Sequence, residues 1–277
     1  MDWDPHFVDR SPMFEPLRPH AAGFGANWPS LAELQSLLDR RVPPVRNAGG
    51  LPLRVVPQSR RPVALEDGYE ARVFLRGELQ SRERNWHDLL NVLVWLAFPR
   101  AKAALNERHF RALQALGQCG AGARNRGPAQ DALTLFDEGG VIVAATDESL
   151  LGMIHAFEWK ELFWGRRNDV RSRMRFFLFG HALYEKSLAP FAGITARGIL
   201  VETSDDLLQA PPAALLGNLD ARAASWIGDP SALSGTRDLA PVPILGVPGW
   251  CAGNEREEYY DNLDYFRPGR RSVTSGE

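Results

Sequence analysis

Residues 84–100, RNWHDLLNVLVWLAFPR, constrain the fold more than any other stretch of the chain. Wound at about 100° per residue, Leu89, Leu90, Leu93, Leu96 and Ala97 fill one broad face of a helix. A solvated opposite face would carry Lys, Glu and Arg. Here it carries His87, Asp88 and Asn91, interleaved with Trp95 and Phe98. A helix apolar nearly all round must be covered by other elements, and its short polar groups then need partners brought by those elements. Asn85 is a good N-cap with Asp88 three residues on, near the positive end of the helix dipole. Pro99 ends the segment and opens a second helix running to Gly117.

The chain has 277 residues, enough for one large domain or two small ones, and 44% hydrophobic residues, enough for a sizeable core. Lys and Arg total 32 against 34 Asp and Glu, so no broad basic face points to nucleic acid or an anionic membrane. Cys119 and Cys251 stand far apart without CxxC spacing, which argues against a disulfide framework and for a reduced, cytoplasmic setting. The acidic start MDWDPHFVDRSPMFEP is not a secretory signal, and the longest apolar run, LLNVLVWLAF, falls short of the roughly 20 residues that span a bilayer. A soluble protein is expected.

Pattern reading gives an α+β chain in a single domain: a mainly helical core, a small sheet and an extended C-terminal tail. SLAELQSLLDRR is a helix with a Ser30–Glu33 capping box and a Leu31, Leu34, Leu37, Leu38 stripe. LPLRVVPQ and YEARVFLRG read as short strands, and GAGARNRGPAQD as a loop. ALTLFDEGGVIVAA, residues 132–145, reads as a hairpin turning on Asp137, Glu138 and two glycines. DESLLGMIHAFEWKELFWGRR reads as helical, and NDVRSRMRFFLFGHALYEKSL as one long helix. RGILVET is a strand, and helices start at Ser204 and at Pro211 or Pro212. From about residue 233 the chain is rich in Pro, Gly and aromatic residues and is expected to wrap the same core.

Polar residues recur on other apolar stripes. In the helix after Pro99, Lys102, Asn106 and His109 fall at i, i+4 and i+7 within the face defined by Leu105, Leu113 and Leu116. In the segment 168–188, His181 and Glu185 sit at i and i+4 in the stripe of Val170, Met174, Phe177, Tyr184 and Leu188. That spacing lets both address one point, as metal ligands or as an oriented His–carboxylate pair. Gly180 costs a helix roughly 1 kcal/mol relative to Ala and often marks a close approach. Asp131, Asp137 and Glu138 are ordinary turn formers unless the hairpin tip points at these helices. Asn254, Asp261, Tyr265 and Arg267 are candidates to close a pocket from the tail. No GxGxxG after a strand, GxxxxGK[ST], HExxH or GxSxG occurs.

The segments NWHDLLNVLVWLAFPRAKAALN, DALTLFDEGGVIVA, FFLFGHALYEK and YYDNLDYFRPGRR, in this order, resemble a bacterial, mainly proteobacterial, family catalogued as domain of unknown function three-zero-two-five. The resemblance spans most of Asp2 to Arg271. It implies a proteobacterial, cytoplasmic protein and carries over no catalytic residue. From the residues themselves the expected site has catalytic groups His87, Asp88, His181 and Glu185, the same four being the candidate ligands of a divalent metal, with Asn91, Lys102 and Asn106 binding substrate. His with carboxylate suits acid–base catalysis or a metal that activates water. Lys102 gives the expectation of a hydrolase acting on a phosphorylated or nucleotide-like substrate. The alternative is a non-catalytic binding or interaction module in which the same groups form a structural network.

Overall fold

A computed structural model describes residues 2–58, 65–118 and 127–269. Cys119, most of the loop read at GAGARNRGPAQD and the last residues of YYDNLDYFRPGRR lie outside the described residues. In chain order the regular elements are α1 (Arg18–Ala21), α2 (Leu31–Arg40), β1 (Arg54–Pro57), α3 (Tyr69–Arg76), β2 (Glu78–Ser81), α4 (Trp86–Ala97) and α5 (Pro99–Gln118). There follow α6 (Pro128–Gly139), β3 (Gly140–Ala145), α7 (Glu148–Ala156), α8 (Arg167–Arg173), β4 (Met174–Leu178) and α9 (His181–Ser187). The last are β5 (Thr195–Glu202), α10 (Asp205–Leu208), α11 (Pro212–Gly228) and β6 (Ala240–Pro243). The chain is thus an α+β mix with a small sheet set.

The main sheet runs β4-β3-β5-β6, with β3 antiparallel to β4 and parallel to β5, and β6 antiparallel at the edge. All six residues of β3 are buried, which is why Val141, Ile142 and Val143 form a continuous apolar run rather than an alternating one. β1 and β2 make a separate two-stranded parallel pair. The opening helix is as enclosed as its sequence requires: every residue from Leu89 to Phe98 is buried, and Asn85 caps it by accepting from the Asp88 amide. Asp220 of α11 accepts from the first amides of α5, those of Arg100 and Ala101, so one carboxylate ties the two helices together. The Ser30–Glu33 capping box closes α2 as read.

One continuous hydrophobic cluster reaches from Phe7 to Phe266. The tail contributes Tyr260, Tyr265 and Phe266, all buried, and Tyr265 bridges the Leu245 amide to the Ile194 carbonyl through its hydroxyl. Among the described residues no helix is long and apolar enough to cross a membrane.

Three elements differ from the sequence reading. Residues 132–145 are not a hairpin: α6 runs to Gly139 and passes directly into β3. The buried set Ala132, Leu133 and Phe136 has helical spacing, Pro128 opens the helix at N1, and the glycine pair is its exit rather than a turn between strands. YEARVFLRG is helix α3, closed by Gly77 in the left-handed region with its amide on the Arg72 and Val73 carbonyls. The long helix at 168–188 is α8, β4 and α9 in succession. Its apolar middle, Met174–Leu178, pairs with β3, a partner some thirty residues distant and invisible to local periodicity.

Candidate functional site

The break in that long segment is what makes a site. Gly180 stands at the N-cap of α9, and a Cβ there would collide with the Glu138 carbonyl and the Gly139 nitrogen. The amides of Phe179 and Gly180 both bond the Gly140 carbonyl, at 2.8 and 3.0 Å. The start of α9 is therefore pressed against the end of α6, and His181, the first residue of α9, meets the last turn of α6. Its Nδ1 lies 2.8 Å from the Asp137 carbonyl oxygen. His87, in the first turn of α4, arrives from the other side. Its Nε2 is 3.0 Å from the Nε2 of His181, with the rings at 73°. His87 Nδ1 is 3.1 Å from Glu185 Oε2, one turn further along α9. Glu138 brings Oε1 to 3.6 Å from His181 Nε2. One ligand atom each from His87, Glu138 and His181 thus lies within 4.8 Å of the others.

Hydrogen-bond partners fix the tautomers. A carbonyl oxygen only accepts, so His181 Nδ1 carries the hydrogen; the Glu185 carboxylate accepts likewise from His87 Nδ1. Both Nε2 atoms are then left with lone pairs facing each other at 3.0 Å. Burial pushes His181 down to about 4, outweighing the opposing pull of Asp137, so this ring is neutral near pH 7. A positive species between the two nitrogens resolves the conflict: a proton on His87 or a metal ion. Two imidazoles bound to one tetrahedral zinc at 2.0–2.1 Å stand about 3.3 Å apart, close to the spacing seen here. Metal-ligating histidines characteristically donate their other nitrogen to a carboxylate or a backbone carbonyl; His87 has the first and His181 the second.

The remaining polar residues form a second cluster beside the first, paired to one another except at the buried Asn91 and Asn106 side-chain oxygens. Lys102, 3% exposed, pairs with Asp137 at 2.5 Å. Asn106 donates to Glu70 Oε2 at 2.6 Å and to the Glu70 carbonyl at 2.9 Å, and Asn91 donates to the Tyr69 hydroxyl at 2.7 Å. Asp88 takes the Arg82 guanidinium at 2.8 and 2.9 Å and the Arg82 amide at 2.7 Å. Burial and the nearby Asp137 raise Glu70 to about 7. Burial also raises Asp137, but the Lys102 ammonium that donates to it outweighs burial and holds that carboxyl below its ordinary value. Burial, then Asp137, raises Glu138. A cavity of about 270 Å³ opens between the two clusters, with His87, His181, Glu138, Glu70 and Asn91 on its walls.

Of the expected site residues, the structure brings His87, His181 and Glu185 together. Asp88 faces the same cavity but is engaged by Arg82, and Lys102 points its charge at Asp137 rather than at open space. Asn106 is turned to Glu70. The carboxylate that completes the group is Glu138, which the hairpin reading placed in a solvent-facing turn. Its signal was the acidic pair at 137–138, significant only once that end of α6 meets the helices. Tyr265 and Arg267 line a separate cavity with Asp264 and do not approach the histidines. Asp261 pairs with Lys160, and Asn254 donates to the Leu245 and Val247 carbonyls.

The profile of the family described as Protein of unknown function (DUF3025) matches residues 53–270. The chain belongs to this family. The matched span includes His87, Glu138, His181 and Glu185, so the group lies inside the family domain; the aromatic N-terminal segment with Phe7 and Phe14 lies outside it. No curated protein and no solved structure matches the chain.

Proposed function

We propose that this protein is a metal-dependent hydrolase in which His87 Nε2, His181 Nε2 and the Glu138 carboxylate hold one divalent ion, with zinc the best fit to an N,N,O donor set. The observation that carries the reading is the pair of facing Nε2 atoms whose Nδ1 partners are both already engaged. Three protein ligands leave a position open for water, and a zinc ion brings the proton affinity of bound water to about 7. Glu70 lies on the same cavity wall with a proton affinity also near 7, suited to taking and returning that proton. Glu185 and the Asp137 carbonyl orient the two rings from behind.

Lys102, on which a phosphorylated or nucleotide-like substrate rested, is neutralised by Asp137 and offers no charge to a ligand. The substrate must therefore be read from what lies around Glu138. The non-catalytic alternative draws on the Lys102–Asp137 and Asn106–Glu70 pairs; it leaves the histidine contact without a purpose.

Equilibrium dialysis of the full chain against zinc, manganese and ferrous ion, followed by elemental analysis, tests the reading. One ion per chain is expected, lost in His181→Ala with the fold retained. No ion at micromolar free metal overturns the metal site. A bound ion without metal-dependent hydrolysis across ester, amide and phosphate substrates overturns the hydrolase.

A further inference from the structure

Glu138 borders two cavities. One is the polar cavity with the histidines; the other, of about 310 Å³, shares Glu138 in its lining. The second is built differently. Leu135, Leu183, Phe191 and Ile194 give it apolar walls, and Lys186 and Arg197 supply its charge. Phe191 leaves 55% of its surface exposed there, an uncommon position for a phenyl ring with nothing against it. Among the described residues no ion pair closes Lys186 or Arg197, whereas the cations nearer the histidines, Lys102 and Arg82, are both taken by carboxylates. The fold explains the juxtaposition. β5 pairs in parallel with β3, so Arg197 stands beside Gly140, directly after the α6 turn that carries Glu138, while Leu183 and Lys186 come from the same short helix as His181.

A ligand bridging the two cavities needs an anion and an apolar group on one side of Glu138 and a hydrolysable carbonyl on the other. We infer that the substrates are N-acyl derivatives of apolar amino acids, the free carboxylate held by Arg197 and Lys186 and the side chain laid against Leu135, Leu183, Phe191 and Ile194. The acyl carbonyl then reaches the histidine cavity. Water adds to the acyl carbon, the C–N bond breaks, the acyl group departs as a carboxylate, and the amino-acid nitrogen takes up both protons of the water and leaves as an ammonium group. A carboxylate matches the planar fork of an arginine, and a leucine or phenylalanine side chain fits a volume of this size. The inference rests on the metal-hydrolase reading and adds the substrate class to it.

The test uses the full chain after zinc dialysis, with N-acetyl-L-leucine, its uncharged analogue N-acetyl-L-leucinamide, and phenyl phosphate as probes. Expected is cleavage of the acetyl group with kcat/KM about ten- to a hundredfold higher for the carboxylate than for the amide, the scale of one charge-assisted hydrogen-bonded contact. Arg197→Gln is expected to raise KM for the carboxylate substrate about ten- to a hundredfold and so remove that preference, with zinc content retained, and Arg197→Lys to restore part of it. Equal handling of carboxylate and amide, a preference that survives Arg197→Gln, or cleavage of phenyl phosphate in place of the amides overturns the substrate class. Zinc uptake without amide hydrolysis overturns it and leaves the metal site standing. Failure to take up zinc overturns the metal reading itself, and the inference with it.

Discussion

The histidine group and the Lys102–Asp137 network lie side by side and look alike in sequence, each being a few polar residues set on apolar helix stripes. They differ in how they end. In the network each cation meets an anion and each side-chain amide nitrogen an acceptor, Lys102 with Asp137, Asn106 with Glu70 and Asn91 with Tyr69, while the buried Asn91 and Asn106 side-chain oxygens find no partner among the described residues. In the histidine group the outer nitrogens are satisfied and the inner ones oppose each other. The two clusters differ in what they leave over: the network leaves two separate amide oxygens, and the histidine group leaves two matched nitrogens aimed at a shared point.

The largest effect is expected where the frame common to both clusters is removed. We propose that the chain is one domain; ending it after Leu245 takes away Tyr260, Tyr265 and Phe266 and the hydroxyl that joins Leu245 to Ile194. That chain is expected to be insoluble or to lack a cooperative melt. A melt like that of the full chain shows that the tail belongs to neither cluster's frame.

Next comes Lys102→Ala, which strands the Asp137 carboxylate in a buried position. Breaking one side of a buried pair costs about 3–5 kcal/mol, which lowers Tm by roughly 2–4 °C per kcal/mol in a chain of this size. Calorimetry should show this loss, with part of it recovered in Lys102→Met combined with Asp137→Leu. His181→Ala is expected to do the reverse, abolishing metal uptake while the melt shifts far less. If His181→Ala collapses the fold and Lys102→Ala does not, the assignment of the two clusters is inverted.

A finer cut falls on Glu185, whose Oε2 accepts from the back of His87. Glu185→Gln keeps the ligand set, so dialysis should show zinc held about 10- to 100-fold more weakly, the usual effect of losing an orienting carboxylate. An unchanged affinity would mean that Glu185 does not orient the ring.

The smallest effect concerns pH. Glu70 titrates near 7 in the folded chain against an ordinary value of 4.5, because burial and Asp137 favour its neutral form. The folded state binds this proton more tightly, so the contribution to stability is full below the ordinary value and is lost as pH rises through about 7. Urea midpoints taken from about pH 5 to about pH 8 should fall for the parent chain and fall less for Glu70→Gln. Parallel curves would mean that Glu70 is not the group responsible.

Much of this was legible from the chain. The α4 stripe, its Asn85 cap, the α2 capping box and the three residues His87, His181 and Glu185 all follow from spacing, because helical period and cap chemistry are local. What was lost depended on distant partners. MRFFL and VIVAA are short apolar runs whose period does not distinguish strand from buried helix; β4 is a strand because β3 lies beside it. YEARVFLRG carries the β-branched and aromatic residues that favour strands, yet packs Ala71 and Val73 inward as a helix closed by Gly77. Reading Asp137 and Glu138 into a hairpin turn followed from the same ambiguity and hid the carboxylate that lies beside the two histidines. Gly180 carried the correct hint, since its need for close approach is what seats α9 on α6.

His87 and His181 are 94 positions apart. An unfolded chain would have to close a loop of that length before both rings could reach one ion, an ordering that the chain-entropy estimate for cross-links places at about 4–5 kcal/mol. A metal seated there therefore selects the native state strongly over the unfolded one. A thousandfold excess over its dissociation constant would add about 4 kcal/mol to the resistance against unfolding. The supply of the ion would then set the lifetime of the folded molecule against proteolysis, and starvation for it would appear first as a fall in abundance.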